Sequence, residues 1–169
     1  MSWIAPPVEL VDEPFTADER TTLEGWLEAH HSQFLDKCAG LTPQQLAQRS
    51  VPPSPLSLLG LIRHLTDVER TWIRRRLAGE PIDPAYPGKD SCFTEARPET
   101  AESDYAALLA EWEECHRAVR DIDLEQTFLH QKYGPMSLRW LYGHLIREYA
   151  GHCGHADLLR ERIDGATFS

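Results

Sequence analysis

The segment from Ser137 to Gly165 constrains the fold more than any other part of the chain. Leu138, Leu141, Leu145, Ala156, Leu159 and Ile163 recur there at the intervals that align apolar side chains on one face of an α-helix. Ser137 and Gly165 are ordinary start and stop residues, so the pattern predicts one helix over 137–165. A helix that long needs other helices to cover its stripe. Yet Glu148 and His152 stand in the middle of the stripe, His152 near its centre, four residues apart and one above the other on the same face. A carboxylate and an imidazole among leucines are costly to bury unpartnered. A hydrogen bond between them is one solution. A divalent metal that engages both is the other.

Three more stretches carry helical periodicity. The first covers 17–39, behind a capping-box pattern at Thr16 and Glu19, with Leu23, Trp26, Leu27, Phe34, Leu35 and Cys38 turned inward. A short helix opens at Thr42-Pro43 and is closed by Pro52, Pro53 and Pro55. The second long helix spans 57–78, with Leu58, Leu61, Ile62, Leu65, Val68, Trp72 and Ile73 inward. The third spans 99–120, with Tyr105, Leu108, Leu109, Trp112, Cys115 and Val119 inward. Residues 1–15 read as an extended arm, 79–98 as a long proline-rich loop suited to covering a site, and 121–136 as a second loop. Nothing alternates at period two for long enough to predict a strand. The expected fold is all-α, a four-helix bundle with long inter-helix loops, in a single domain over 1–169.

The composition narrows the function. A chain of 169 residues can bury a sizeable core. A formal net charge of −10 argues against nucleic acid or an anionic membrane as partner, since both attract basic patches. No apolar run is long enough to span a bilayer. The first residues, Met-Ser-Trp-Ile-Ala-Pro-Pro-Val-Glu, lack the basic start and apolar core of a signal peptide, so a cytoplasmic protein is expected. Cys38, Cys92, Cys115 and Cys153 are scattered and form no Cys-x-x-Cys pair, which reads as reduced thiols. The chain has no His-Glu-x-x-His motif, no Gly-x-Ser-x-Gly elbow and no glycine-rich phosphate loop. A di-iron carboxylate site would need Glu-x-x-His on two helices, and here the spacing is longer and occurs once.

A catalytic metal site needs a third protein ligand and an open position. His64, on the second long helix, is the best candidate, although its place at the rim of the apolar arc also suits a partly solvated histidine. Glu69 lies closer to that arc and reads as the partner of an arginine such as Arg139 or Arg147. His30, between Trp26, Leu27 and Phe34, reads as a packed core histidine. His31, His116 and His130 read as structural or solvated, and His155 and His144 lie farther out from the stripe on the Glu148 side. Cys153, adjacent to His152, points well away from it at helical spacing and is not assigned as a nucleophile.

Several runs carry a family resemblance. They are Ser57-Leu-Leu-Gly-Leu-Ile-Arg-His64-Leu-Thr-Asp-Val-Glu69-Arg-Thr-Trp72, Ser137-Leu-Arg-Trp140, and the closing run from Glu148-Tyr-Ala-Gly-His152-Cys-Gly-His155 through Asp157 and Glu161 to Asp164-Gly165. In these the chain resembles the DinB/YfiT-like metalloenzyme family, in particular its actinobacterial mini-circle protein branch. The resemblance implies a helical bundle holding a divalent metal, zinc first, with nickel or iron as alternatives. The implied ligands are His64, Glu148 and His152. Most members carry histidine at both last-helix positions. This chain has glutamate at the first, as does the mycothiol-dependent maleylpyruvate isomerase to which it is similar. That departure leaves His155 as an alternative third ligand. The resemblance further implies a metal-dependent transferase or isomerase using a low-molecular-weight thiol such as mycothiol together with an electrophilic substrate, and a homodimer. The competing expectation is a non-catalytic, stress-related metal-binding bundle.

Overall fold

Asp18, Thr42, Ser57 and Ser137 each begin a helix by accepting a hydrogen bond from a backbone N–H of its first turn. The computed structural model describes residues 3–168. In chain order the elements are α1 Glu19–Asp36, α2 Pro43–Ala47, α3 Leu58–Glu69, α4 Ser91–Thr94, α5 Ala101–Val119, β1 Thr127–His130, β2 Gly134–Ser137 and α6 Leu138–Asp164. Asp18, not Thr16, caps α1, through its carboxylate and the Thr21 N–H at 3.0 Å. The capping box expected of the first helix occurs instead on α2, between Thr42 and Gln45. Gly165 ends α6 at a φ of 80°, a conformation that a Cβ disfavours.

The fold is mostly helical. Leu58, Leu61, Ile62 and Leu65 of α3, Leu108 of α5, Phe34 of α1, and Leu138, Leu141, Leu145 and Tyr149 of α6 are fully buried in one apolar core. Each such leucine contributes roughly 1.5–3 kcal/mol through loss of apolar contact with water. Two inward assignments fail. Trp26 and Leu109 are each 40% exposed, because each falls at the edge of its helix's arc. No helix among the described residues is long and apolar enough to cross a membrane.

Past Glu69 the second long helix continues as a π-helix over Arg70–Leu77, with wider backbone bonds such as Ala78 N–H to Ile73 carbonyl at 2.9 Å. Arg70 and Arg74 both reach Glu111 of α5 from this segment, at 2.6 and 3.1 Å. The 79–98 segment is not structureless, since it contains α4. Arg63 fixes it, donating to the carbonyls of Cys92 and Ser91 and, through a buried ion pair, to Asp104 of α5. The 121–136 segment is not a plain loop, and the fold is therefore not purely α. It forms an antiparallel hairpin in which Phe128 faces Met136 and His130 faces Gly134. Its four-residue strands are too short to show alternation in the sequence. Residues 3–14 form neither helix nor strand, and they dock by bonds from Ala5 to Leu41 and from Val11 to Ser32. The first two residues of the arm, and residue 169 of the expected domain, lie outside the described residues.

Candidate metal centre

His64 on α3 and Glu148 and His152 on α6 converge at the facing surfaces of the two helices. A ring nitrogen from each histidine and a carboxylate oxygen of Glu148 all lie within 4.8 Å of one another. Glu148 Oε2 stands 3.7 Å from His64 Nε2 and 3.5 Å from His152 Nε2. The two imidazole rings meet edge to face, with centroids 4.7 Å apart. Their side chains are partly screened, 26% exposed for His64 and 16% for His152. Burial pushes the His64 imidazolium down from its ordinary range, with Glu148 opposing in part. Burial, and then the like charge of His64, push His152 down to about 4. Both rings are therefore neutral near pH 7, with nitrogen lone pairs available. Two neutral imidazoles and one carboxylate at this spacing fit a divalent cation such as zinc.

The neighbours shape the approach to this trio. Phe93 of α4 stacks on His64 with centroids 5.3 Å apart. Gly60 permits that approach, because a Cβ there would stand 3.0 Å from the Phe93 ring. Arg63 is thus an indirect support, holding down the segment that brings Phe93 to His64. Toward the start of α6, Trp140, His144 and Glu148 follow one another at four-residue steps on one face. His144 stacks on Trp140 and meets Trp72 edge to face at 4.7 Å. His155 is exposed and outside the trio, although its Nδ1 lies 3.2 Å from His152 Nδ1.

Other histidines differ from expectation. The core histidine of α1 is His31, 5% exposed, while His30 is only half-buried and bonds the Trp26 carbonyl. One residue along a helix is about 100° of rotation, so a small error in the assumed arc exchanged the two. The partner of Glu69 is not an arginine. Its Oε1 engages His31 Nε2 and accepts from the Tyr149 hydroxyl, both at 2.7 Å, and Tyr149 in turn accepts from Trp112 Nε1 at 2.8 Å. Arg139 instead pairs with Glu19 and Glu125. This buried network, which sequence reasoning missed, ties α1, α3, α5 and α6 together beside Glu148. Its one available signal was Tyr149 itself, four residues beyond Leu145 on the apolar stripe. The stripe is centred on Leu145, Tyr149 and Cys153, so His152 lies at its edge and not near its middle. Cys153 is buried with its sulfur toward the His30 carbonyl, away from the trio as expected. All four cysteines are free thiols.

Fold and site together describe a mostly helical protein in which two histidines and a glutamate stand half-screened and close enough to hold an ion. The mycothiol-S-transferase family model matches residues 22–165. That span takes in every helix but the first turn of α1, and the whole trio. The chain belongs to this family, in agreement with the resemblance carried by its second and last long helices. No curated protein and no solved structure matches the chain.

Proposed function

We propose that this protein is a metal-dependent transferase that joins the sulfur of mycothiol to an electrophilic small molecule. The observation that carries the reading is the convergence of His64, Glu148 and His152 in a member of the mycothiol-S-transferase family. In this reading the chain is a single domain, and α1, α3 with its π-helical extension, α5 and α6 form a four-helix bundle. His64, Glu148 and His152 hold the ion, with His155 outside the ligand set. A bound divalent cation supplies a Lewis acid that favours a sulfur ligand as thiolate near neutral pH.

The chain's own residues do the rest. Glu148 brings the anionic oxygen that a cation favours, and the neutral imidazoles complete a three-ligand set that leaves a position for sulfur. Phe93 shields the His64 side from water, and Trp72 and Trp140 wall the opposite end with aromatic surface. In the transfer step a bond forms between the mycothiol sulfur and the electrophilic carbon. The leaving group departs with its electron pair, and the thiol proton passes to solvent. The net charge of −10 and the free cysteines support a small-molecule enzyme of a reducing compartment, the cytoplasm.

The test is direct. Protein loaded separately with zinc, nickel or iron is mixed with mycothiol and a fluorogenic electrophile, and the thioether is followed by mass spectrometry. Metal-dependent conjugation faster than the uncatalysed reaction is expected. Conjugation no faster than without protein, for every metal and several electrophile classes, would overturn the reading.

A further inference from the structure

Beyond the trio, the second long helix, the segment that follows it and the hairpin line an open cavity of about 650 Å³, within the size range of small-molecule sites. Its wall includes Arg75, Arg76, Lys132, His130 and Glu80. The one carboxylate among these is already engaged, since Glu80 takes both the Nε and Nη2 of Arg74 at 2.9 and 2.7 Å. The three cations have no carboxylate partner among the described residues. Arg75 donates its Nε to the Ile82 carbonyl at 2.9 Å, which fixes the guanidinium while leaving its terminal nitrogens free of protein acceptors among the described residues. Arg76 lies over the Trp72 ring at 4.1 Å and Lys132 over the Tyr133 ring at 4.9 Å, so each is held by an aromatic face and not by an anion. Burial and the neighbouring charge of Arg75 both work against the charged form of Arg76. Like charges gathered round one concavity, in a protein of net charge −10, are an arrangement that a bound anion would relieve.

The cavity and the trio share the second long helix, which supplies Thr71, Arg75 and Arg76 to one and His64 to the other. Thr71, on its wall, follows His64 by seven residues, about two turns and roughly 10 Å along the helix axis. The Trp72 ring bridges the two regions, touching His144 on one side and stacked with His130 on the other at 5.7 Å.

We propose that this cavity is an oxyanion subsite for a small organic acid, carboxylate or phosphate, held by Arg75, Arg76 and Lys132. Resting on the transferase reading, the bound group is the anionic tail of the electrophile whose other end meets mycothiol at the trio. A large polyanion is a poorer fit, because the basic surface is concave and the rest of the protein is acidic.

The subsite is testable without metal or thiol. Chelator-treated protein is titrated with inorganic phosphate, succinate and neutral glycerol while the Trp72 indole N–H is followed by NMR. Saturable shifts with phosphate or succinate, and none with glycerol, are expected, and the stronger of the two anions names the head group. Lys132→Glu, an exposed change on the hairpin turn, should weaken that binding about tenfold or more, as loss of a charged hydrogen bond does. Absence of saturable shifts with both anions, or equal binding by Lys132→Glu, would overturn the subsite. In transfer assays Lys132→Glu should raise KM for an anionic electrophile and not for its neutral ester. A protein that binds the anions but transfers nothing would keep the subsite and remove only its assignment to a co-substrate.

Discussion

Glu148 Oε2 faces His64 Nε2 at 3.7 Å across the junction of α3 and α6, so residues 84 positions apart in the chain share one site. The pair exists because Ser57 and Ser137 start two helices whose apolar faces pack together, leaving their rims opposed. A rim position suits the proposed ion, since it is screened on one side and open to small molecules on the other.

Removal of either histidine should therefore abolish stable metal binding without unfolding the protein. His64→Ala and His152→Ala are expected to lose affinity by more than the roughly 10–100-fold that follows loss of an outer partner of a metal ligand. Glu148→Gln should lose less, as its amide oxygen still reaches the ion without the charge. Elemental analysis after dialysis, with circular dichroism as the folding control, checks this. Full occupancy in His152→Ala would rule out the trio, and normal binding by Glu148→Gln with loss in His155→Ala would move the third ligand to His155.

The metal-free protein should lose stability on mild acidification. His152 is pushed down to about 4 by burial and by His64, against an ordinary 6.5, and His64 is lowered in the same direction. Between about pH 6.5 and 4 the unfolded chain therefore binds protons at His152 that the folded chain does not, so stability falls as pH drops through that window and is unaffected by this group above it. Urea midpoints of chelator-treated wild type and His152→Asn, compared from pH 7 to pH 4, should diverge in the acid range, with the wild type falling more steeply. Parallel curves would contradict the burial assigned to this ring.

The buried network makes a separate demand. Tyr149 donates to Glu69 and accepts from Trp112, and all three are nearly inaccessible to water. Tyr149→Phe should cost about 1–3 kcal/mol, since it leaves a buried carboxylate and a buried indole one partner short. Chemical denaturation measures it. A change within a few tenths of a kcal/mol would show that the network is not satisfied as described.

These elements were unevenly legible in the sequence. The long helices, the Ser137 and Gly165 ends of α6, and the pairing of Glu148 with His152 follow from spacing alone, because helical geometry is local. His64 was a candidate from its place on the second long helix, but its rim position has no distinctive periodicity, and the family resemblance was what favoured it over a solvated histidine. The Glu69–His31 contact joins residues 38 positions apart and was invisible to local patterns. The hairpin escaped because four-residue strands barely alternate, and the π-helical turn because nothing in Arg70–Leu77 departs visibly from an α-helical pattern.

The cysteines should be silent in the reaction. Burial raises Cys38 to about 12 and Cys153 to about 11, and pushes Cys92 and Cys115 up as well. Thiols so protonated are poor nucleophiles at neutral pH. An aromatic disulfide reagent should react with them slowly until the protein is denatured, and Cys153→Ala should retain transfer activity. Rapid labelling of Cys153 in the folded protein, or loss of transfer in Cys153→Ala without loss of metal, would make it a participant in the reaction.

The most direct measurement is calorimetric titration of mycothiol into metal-loaded protein, repeated with chelator, with His152→Ala and with S-methyl mycothiol, in buffers of different ionisation enthalpy. Sulfur held as thiolate must lose its proton, so binding should release one and strengthen as pH rises toward the thiol's own pKa. The expected result is tight, proton-releasing binding by the metal-loaded protein, and weak binding under each of the three other conditions. Equal affinity for mycothiol and its S-methyl form, with no proton release, would contradict thiol activation at His64, Glu148 and His152.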